Sequence, residues 1–238
     1  MKIRGQRECK DCGTRWAYYE TGSVDCPSCG SLRSVGVEDD RTLHTATPRS
    51  LNLTPARDEL EAGKPPRQVA ETAAGIAREF TRGYGFIDAG ALQPLSDRYL
   101  AAMELRHVGS ELSRHRAVDE PEEYYLLSLL QGDVSERPGP EAVPDSLRAA
   151  RGLAYATAIE AYRGDLREYL EEHPDPDVAD VLGPLDNHTK RMQALDGDVP
   201  PEDAEVLVVA TRELWRYLTE DDETALVNAQ DRLRRLSG

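Results

Sequence analysis

The sequence predicts a mainly α fold carrying a small β module at its amino end. Three observations carry that prediction. All four cysteines lie between positions 9 and 29, in two Cys-x-x-Cys pairs. From Val69 onward apolar residues recur at steps of three and four, the period of helices that bury one face. Between these regions proline, glycine and acidic residues break any period. At 238 residues and 39% hydrophobic, the chain can fill one sizeable core plus an appended module, which excludes disorder throughout.

The pairs are Cys9 with Cys12 and Cys26 with Cys29; thirteen residues separate them, and no cysteine remains elsewhere. A Cys-x-x-Cys turn brings two thiolates to one ion, and the residue after its second cysteine often needs a left-handed backbone. Glycine stands there both times, as Gly13 and Gly30, and Pro27 suits the same tight turn. Two such turns complete a tetrahedral four-sulfur site with no open position, so one structural zinc ion is expected, and it would not activate water. A module under about 40 residues rarely folds on apolar burial alone, whereas metal binding supplies roughly 10–16 kcal/mol of apparent folding energy. Disulfides are disfavoured in a reducing compartment, and a thioredoxin-like motif needs one pair beside a βαβ unit. Iron in the same thiolates stays open. Strands are expected near 3–8, 14–19 and 32–37, with Trp16, Tyr18, Leu32, Val35 and Val37 covering the site. Residues 1–37 therefore read as a β zinc ribbon.

The run Cys9-Lys-Asp-Cys12-Gly13 … Cys26-Pro27-Ser-Cys29-Gly30 resembles the zinc ribbon of the archaeal general transcription initiation factor B. The whole chain resembles uncharacterised haloarchaeal proteins labelled as carrying that type of ribbon. In the transcription factor the ribbon docks on RNA polymerase and two cyclin-like repeats bind promoter DNA. The resemblance covers residues 1–37 only; the remainder is acidic and shows no duplicated half, so promoter binding does not carry over.

Residues 38–64 read as a connector, with an acidic run at Glu38-Asp39-Asp40 and one short helix near 55–62, capped by Thr54 and stopped by Gly63. Residues 65–238 read as an acidic, irregular, mostly antiparallel helical bundle. Its first helix has Val69, Ala73, Ile76 and Phe80 on one face and stops at Gly83 and Gly85. A second spans about 95–114 and a third about 121–131, followed by a Pro- and Gly-rich loop from Gly132 to Pro144. The helix at 145–172 has two apolar flanks, tyrosines on one and alanines on the other, which implies a central position. Helices near 177–195, 201–219 and 222–236 complete the bundle, with Gly183-Pro184 expected to kink or delay the first.

The formal charge is -15, and only four of the 29 basic residues are lysine. An acid-rich, lysine-poor chain fits a salt-accumulating cell, where carboxylates keep the surface hydrated and dense salt screens their repulsion. Residues 1–37 carry six basic and four acidic side chains, a net of +2, which leaves -17 for the rest. The helical part should therefore repel nucleic acid. Any contact to nucleic acid or a partner falls to the ribbon, through Arg4, Arg7, Lys10, Arg15, Trp16 or Arg33. No secretory signal and no membrane-spanning apolar run is present, so a cytoplasmic location is expected.

No catalytic motif occurs. His188 on an apolar stripe reads as a hydrogen-bonded core residue, and His107 and His115 as parts of a solvated face. Glu122-Glu123, Glu171-Glu172 and Asp221-Asp222 read as helix-terminal charges. Arg82 to Asp88 follows a helix rather than a strand, so it fails the context of a phosphate loop and reads as a turn with Tyr84 and Phe86 packed inward. Three functions follow: an adaptor whose ribbon contacts a protein, a nucleic-acid binder acting through the ribbon, or an enzyme with a site between helices.

Overall fold

The structure is a computed structural model that describes residues 1–131 and 137–236. It is mainly helical, with three small antiparallel sheets among the described residues.

After β1 (Lys2–Ile3), strands β2 (Gln6–Cys9), β3 (Arg15–Ala17) and β4 (Ser34–Gly36) build the three-stranded sheet of the amino-terminal module. β2 lies between β3 and β4, pairing Arg7 with Trp16 and Glu8 with Val35. The strand expected through Tyr19 ends at Ala17, where the chain turns into the one-turn helix α1 (Tyr18–Thr21). There the Tyr18 amide donates to the Gly5 carbonyl, and the Gly22 amide closes the turn on the Tyr18 carbonyl from a left-handed backbone.

β1 pairs with β5 (Thr42–Leu43). Beyond β5, Leu51, Leu53 and Ala56 are buried in the same core as the helices. Helix α2 (Thr54–Glu61) is the short helix expected from the sequence. Its cap differs: Thr54 is the first helical residue, and the Asn52 side chain accepts the Thr54 amide.

The bundle comprises α3 (Pro66–Thr81), α4 (Asp97–Leu112), α5 (Glu120–Gln131), α6 (Arg148–Glu172), α7 (Ala179–Ala194), α8 (Pro201–Glu220) and α9 (Glu223–Arg235). α6 packs on α4, α7 and α8, the central place its two apolar flanks require. The tyrosine flank finds polar partners at Tyr155, whereas the Tyr162 hydroxyl has none among the described residues. Pro184 lies inside α7 instead of delaying its start, and a 3-10 turn at Pro176–Val178 leads in. The loop expected from Gly132 to Pro144 falls in part on 132–136, outside the described residues.

The segment after α3 is more than a turn. It forms a hairpin of β6 (Ile87–Asp88) and β7 (Ala91–Leu92), with Ala89 at φ 47° in the bend. Phe86 is buried and Tyr84 half-buried, in ring contact with each other and with Tyr99. Asp165 on α6 fixes this hairpin to the chain leaving the ribbon: its Oδ2 accepts from the Thr45 hydroxyl at 2.6 Å and from the Phe86 amide at 2.5 Å.

Candidate metal centre

The two cysteine turns are built alike. In the first, the Cys9 amide donates to the Thr14 carbonyl and the Gly13 amide to the Cys9 carbonyl. In the second, Cys26 donates to Ser31 and Gly30 to Cys26. Gly13 and Gly30 have φ of 75° and 71°, a left-handed backbone in which any Cβ would be strained. The Lys10 amide bonds the Arg33 carbonyl and joins the two turns.

This folding brings all four sulfurs within 4.8 Å of one another. Cys9 Sγ lies 3.7 Å from Cys29 Sγ, and Cys12 Sγ 3.5 Å from Cys26 Sγ. In a tetrahedron with metal–sulfur bonds of about 2.3 Å, neighbouring sulfurs are about 3.8 Å apart, so the tetrad is sized for one metal ion. Cys9 and Cys26 are buried, while Cys12 and Cys29 face outward. Trp16 covers the buried pair and completes a small core with them.

The four thiols also shift one another's ionisation. Thr14, through its hydroxyl and amide, and the neighbouring thiols lower Cys12 to about 6. A hydrogen bond from Ser31 favours the Cys29 thiolate, yet Cys12, Cys26 and burial outweigh it and raise this thiol to about 12. Once one thiol ionises, a neighbour is forced to keep its proton, and a bound cation removes that conflict.

The six residues expected to make outside contacts are placed very differently. Trp16 is 7% exposed, and its indole N–H donates to the Ser23 carbonyl. Arg7 is half-buried and bonds Ser34. Arg15 pairs with Glu8 at 2.7 Å, Lys10 with Glu8 at 3.7 Å, and Arg33 with Asp11 at 2.7 Å. Arg4 is exposed, with its stem over Gly36. Three residues expected to cover the site do not: Leu32 is 73% exposed, Val35 38% and Val37 41%. Leu32 and Val37 lie outside β4, and the small core at the site is Trp16 with Cys9 and Cys26.

Elsewhere, the acidic pairs act at helix ends. Asp119 and Glu122 form a reciprocal capping box at the start of α5, each carboxylate accepting the other's amide. Asp222 caps α9, and Glu172 pairs with Lys2 at 2.8 Å. His188 Nε2 meets the Leu233 carbonyl at 3.2 Å. His107 and His115 are half-buried rather than solvated, and Glu111 and Glu122 flank His115.

Sequence reasoning missed a buried polar network. Glu104 on α4 and Arg151 on α6 are 0% and 1% exposed and pair at 3.2 Å. The Tyr125 hydroxyl donates to Glu104, and the Tyr155 hydroxyl lies 3.3 Å from it. Arg137 bonds the Tyr155 hydroxyl, Glu205 and Asp97. Burial pushes Glu104 up, against the pull of Arg151 and Tyr125. The available signal was a charged residue inside an apolar run, at Met103-Glu104-Leu105 and again at Ala150-Arg151-Gly152.

Among the described residues no helix is long and apolar enough to cross a membrane. Residues 1–233 match the model of a family described as a family of unknown function, DUF7117. No curated protein and no solved structure matches the chain.

Proposed function

As the chain belongs to the family of unknown function DUF7117, we propose its role from its own residues: an adaptor whose ribbon, stapled by one structural zinc ion, docks on a protein partner. The observation that carries this reading is that four apolar residues of the amino-terminal module, Val24, Leu32, Val35 and Val37, are exposed. In an amino-terminal module with little apolar surface to spare, such side chains are costly unless a partner covers them.

Zinc is favoured by the closed four-sulfur donor set, which offers no position for substrate. The units behind this role are the ribbon at 1–37, the connector at 38–64 and the acidic helical domain at 65–238. The bundle and connector carry a net charge of -17, and the ribbon's cations are largely engaged. Arg15, Lys10 and Arg33 already hold carboxylates, and Trp16 is not free to stack on a base. These placements support a protein partner over nucleic acid. Resemblance of the ribbon to that of the archaeal transcription initiation factor B makes RNA polymerase the first partner to test. The acid-rich composition fits work in a salt-rich cytoplasm.

The test is affinity purification from native high-salt lysate with the wild-type chain, Leu32→Asp and Cys26→Ala. A protein recovered with the wild type and lost with both variants is the expected result. Equal recovery by all three, or none by any, would overturn the adaptor reading.

A further inference from the structure

A cavity of about 480 Å³ opens between α3, α4 and α6, on a part of the molecule that shares no residue with the ribbon. Helical spacing builds one wall of it. Arg106 and Ser110 stand four apart on α4, with His107 and Glu111 beside them, Arg114 follows in the turn after the helix, and Arg78 joins from α3. The floor is apolar and comes from Ala149, Ala150 and Leu153 at the start of α6.

The charges lining it can be balanced by name. Arg114 is paired with Glu111, which His115 also approaches at 3.3 Å. Asp196, in the turn between α7 and α8, supplies the other carboxylate at the rim. Arg78 and Arg106 hold no carboxylate among the described residues. Each makes a single long hydrogen bond to a hydroxyl, Arg78 to Ser110 at 3.4 Å and Arg106 to Thr81 at 3.4 Å. Three guanidiniums against two carboxylates leave this cavity locally positive on a chain of net charge -15. His107 adds no charge near neutral pH: burial, and then Arg106, hold it down to about 4. Its Nε2 has no partner among the described residues.

We propose that this cavity binds a small organic phosphate, with the phosphoryl oxygens on Arg78 and Arg106 and the apolar part on Ala149, Ala150 and Leu153. Guanidinium forks match phosphate oxygens, while the Ser110 hydroxyl accepts from Arg78 and donates to the Arg106 carbonyl at 2.6 Å. The apolar floor selects against inorganic phosphate, which has nothing to place there. The volume lies in the range of small-ligand pockets, about 300–1,000 Å³.

Calorimetric titration of the intact, metal-loaded chain with phenyl phosphate and with inorganic phosphate, at matched ionic strength in chloride, tests this. Phenyl phosphate should saturate one site and bind more tightly than inorganic phosphate. Arg106→Gln should weaken it by roughly tenfold or more, the loss of one charge-assisted hydrogen bond. Arg78→Gln should also weaken it, and this residue is exposed, so its loss does not threaten the fold. Absence of saturable binding by either probe would overturn the proposal. So would binding undiminished in both variants while thermal unfolding shows them folded, or inorganic phosphate binding as tightly as phenyl phosphate. Ribbon docking rests on other residues, so failure here leaves the adaptor reading standing, and the reverse holds.

Discussion

Cys26 and Glu205 show how single side chains carry the account. Cys26 is buried in the sulfur tetrad, so on the zinc reading Cys26→Ala should remove a ligand and with it the order of the ribbon. The expected outcome is loss of bound metal together with loss of amide protection over 1–37, read by elemental analysis and hydrogen exchange. Glu205 lies between two arginines. Burial would raise its carboxyl, but Arg137 and Arg151 outweigh that and hold it below its ordinary 4.5. A carboxylate with a depressed folded pKa stabilises fully above 4.5 and loses that contribution as pH falls through its folded value. Chemical denaturation from pH 7 down to about 3 should therefore show the wild-type advantage over Glu205→Gln shrink below about pH 4.5. Glu104 and Arg151 form a fully buried pair, and removing Glu104 leaves the Tyr125 hydroxyl without its acceptor and Arg151 with Glu205 as its one remaining carboxylate among the described residues. Glu104→Ala should cost about 3–5 kcal/mol, while Glu104→Leu with Arg151→Met should cost far less. Urea unfolding distinguishes the two.

At the scale of elements, the helices were legible because each carries an apolar stripe long enough to show its period. The stripe of Val69, Ala73, Ile76 and Phe80 runs through α3, and the two flanks of α6 already implied neighbours on both sides. The β6–β7 hairpin was not legible, because strands of two residues are too short to show alternation, and Ala89 in its bend is no turn signal. Neither was the close approach of α6 to the α7–α8 turn. A Cβ on Gly152 would stand 2.1 Å from the Gly197 carbonyl oxygen, and Gly197 itself has φ of 80°. Gly152→Ala should therefore destabilise the bundle by about 1–3 kcal/mol, seen as a lower thermal midpoint. At the ribbon, spacing alone identified the cysteine turns, since each ligand pair is local in sequence. Which side of the sheet faces outward was set by packing that the sequence does not display. Val35 of β4 proved exposed, as did Leu32 and Val37 on either side of that strand.

For the molecule as a whole, two cores are present among the described residues. One is the broad apolar core running from Leu43 to Leu233, and the other is the small cluster of Cys9, Trp16 and Cys26. The second is too small to hold a module together by burial, so under the proposed zinc reading its order should depend on the ion. The first needs no metal, and chelation should leave it intact. The most direct measurement is metal content by elemental analysis on the full-length chain, followed by hydrogen exchange before and after chelation. One zinc ion per chain is predicted, with protection lost over 1–37 on its removal and kept in α3, α4 and α6. A chain free of metal whose first 37 residues are equally protected would contradict the account.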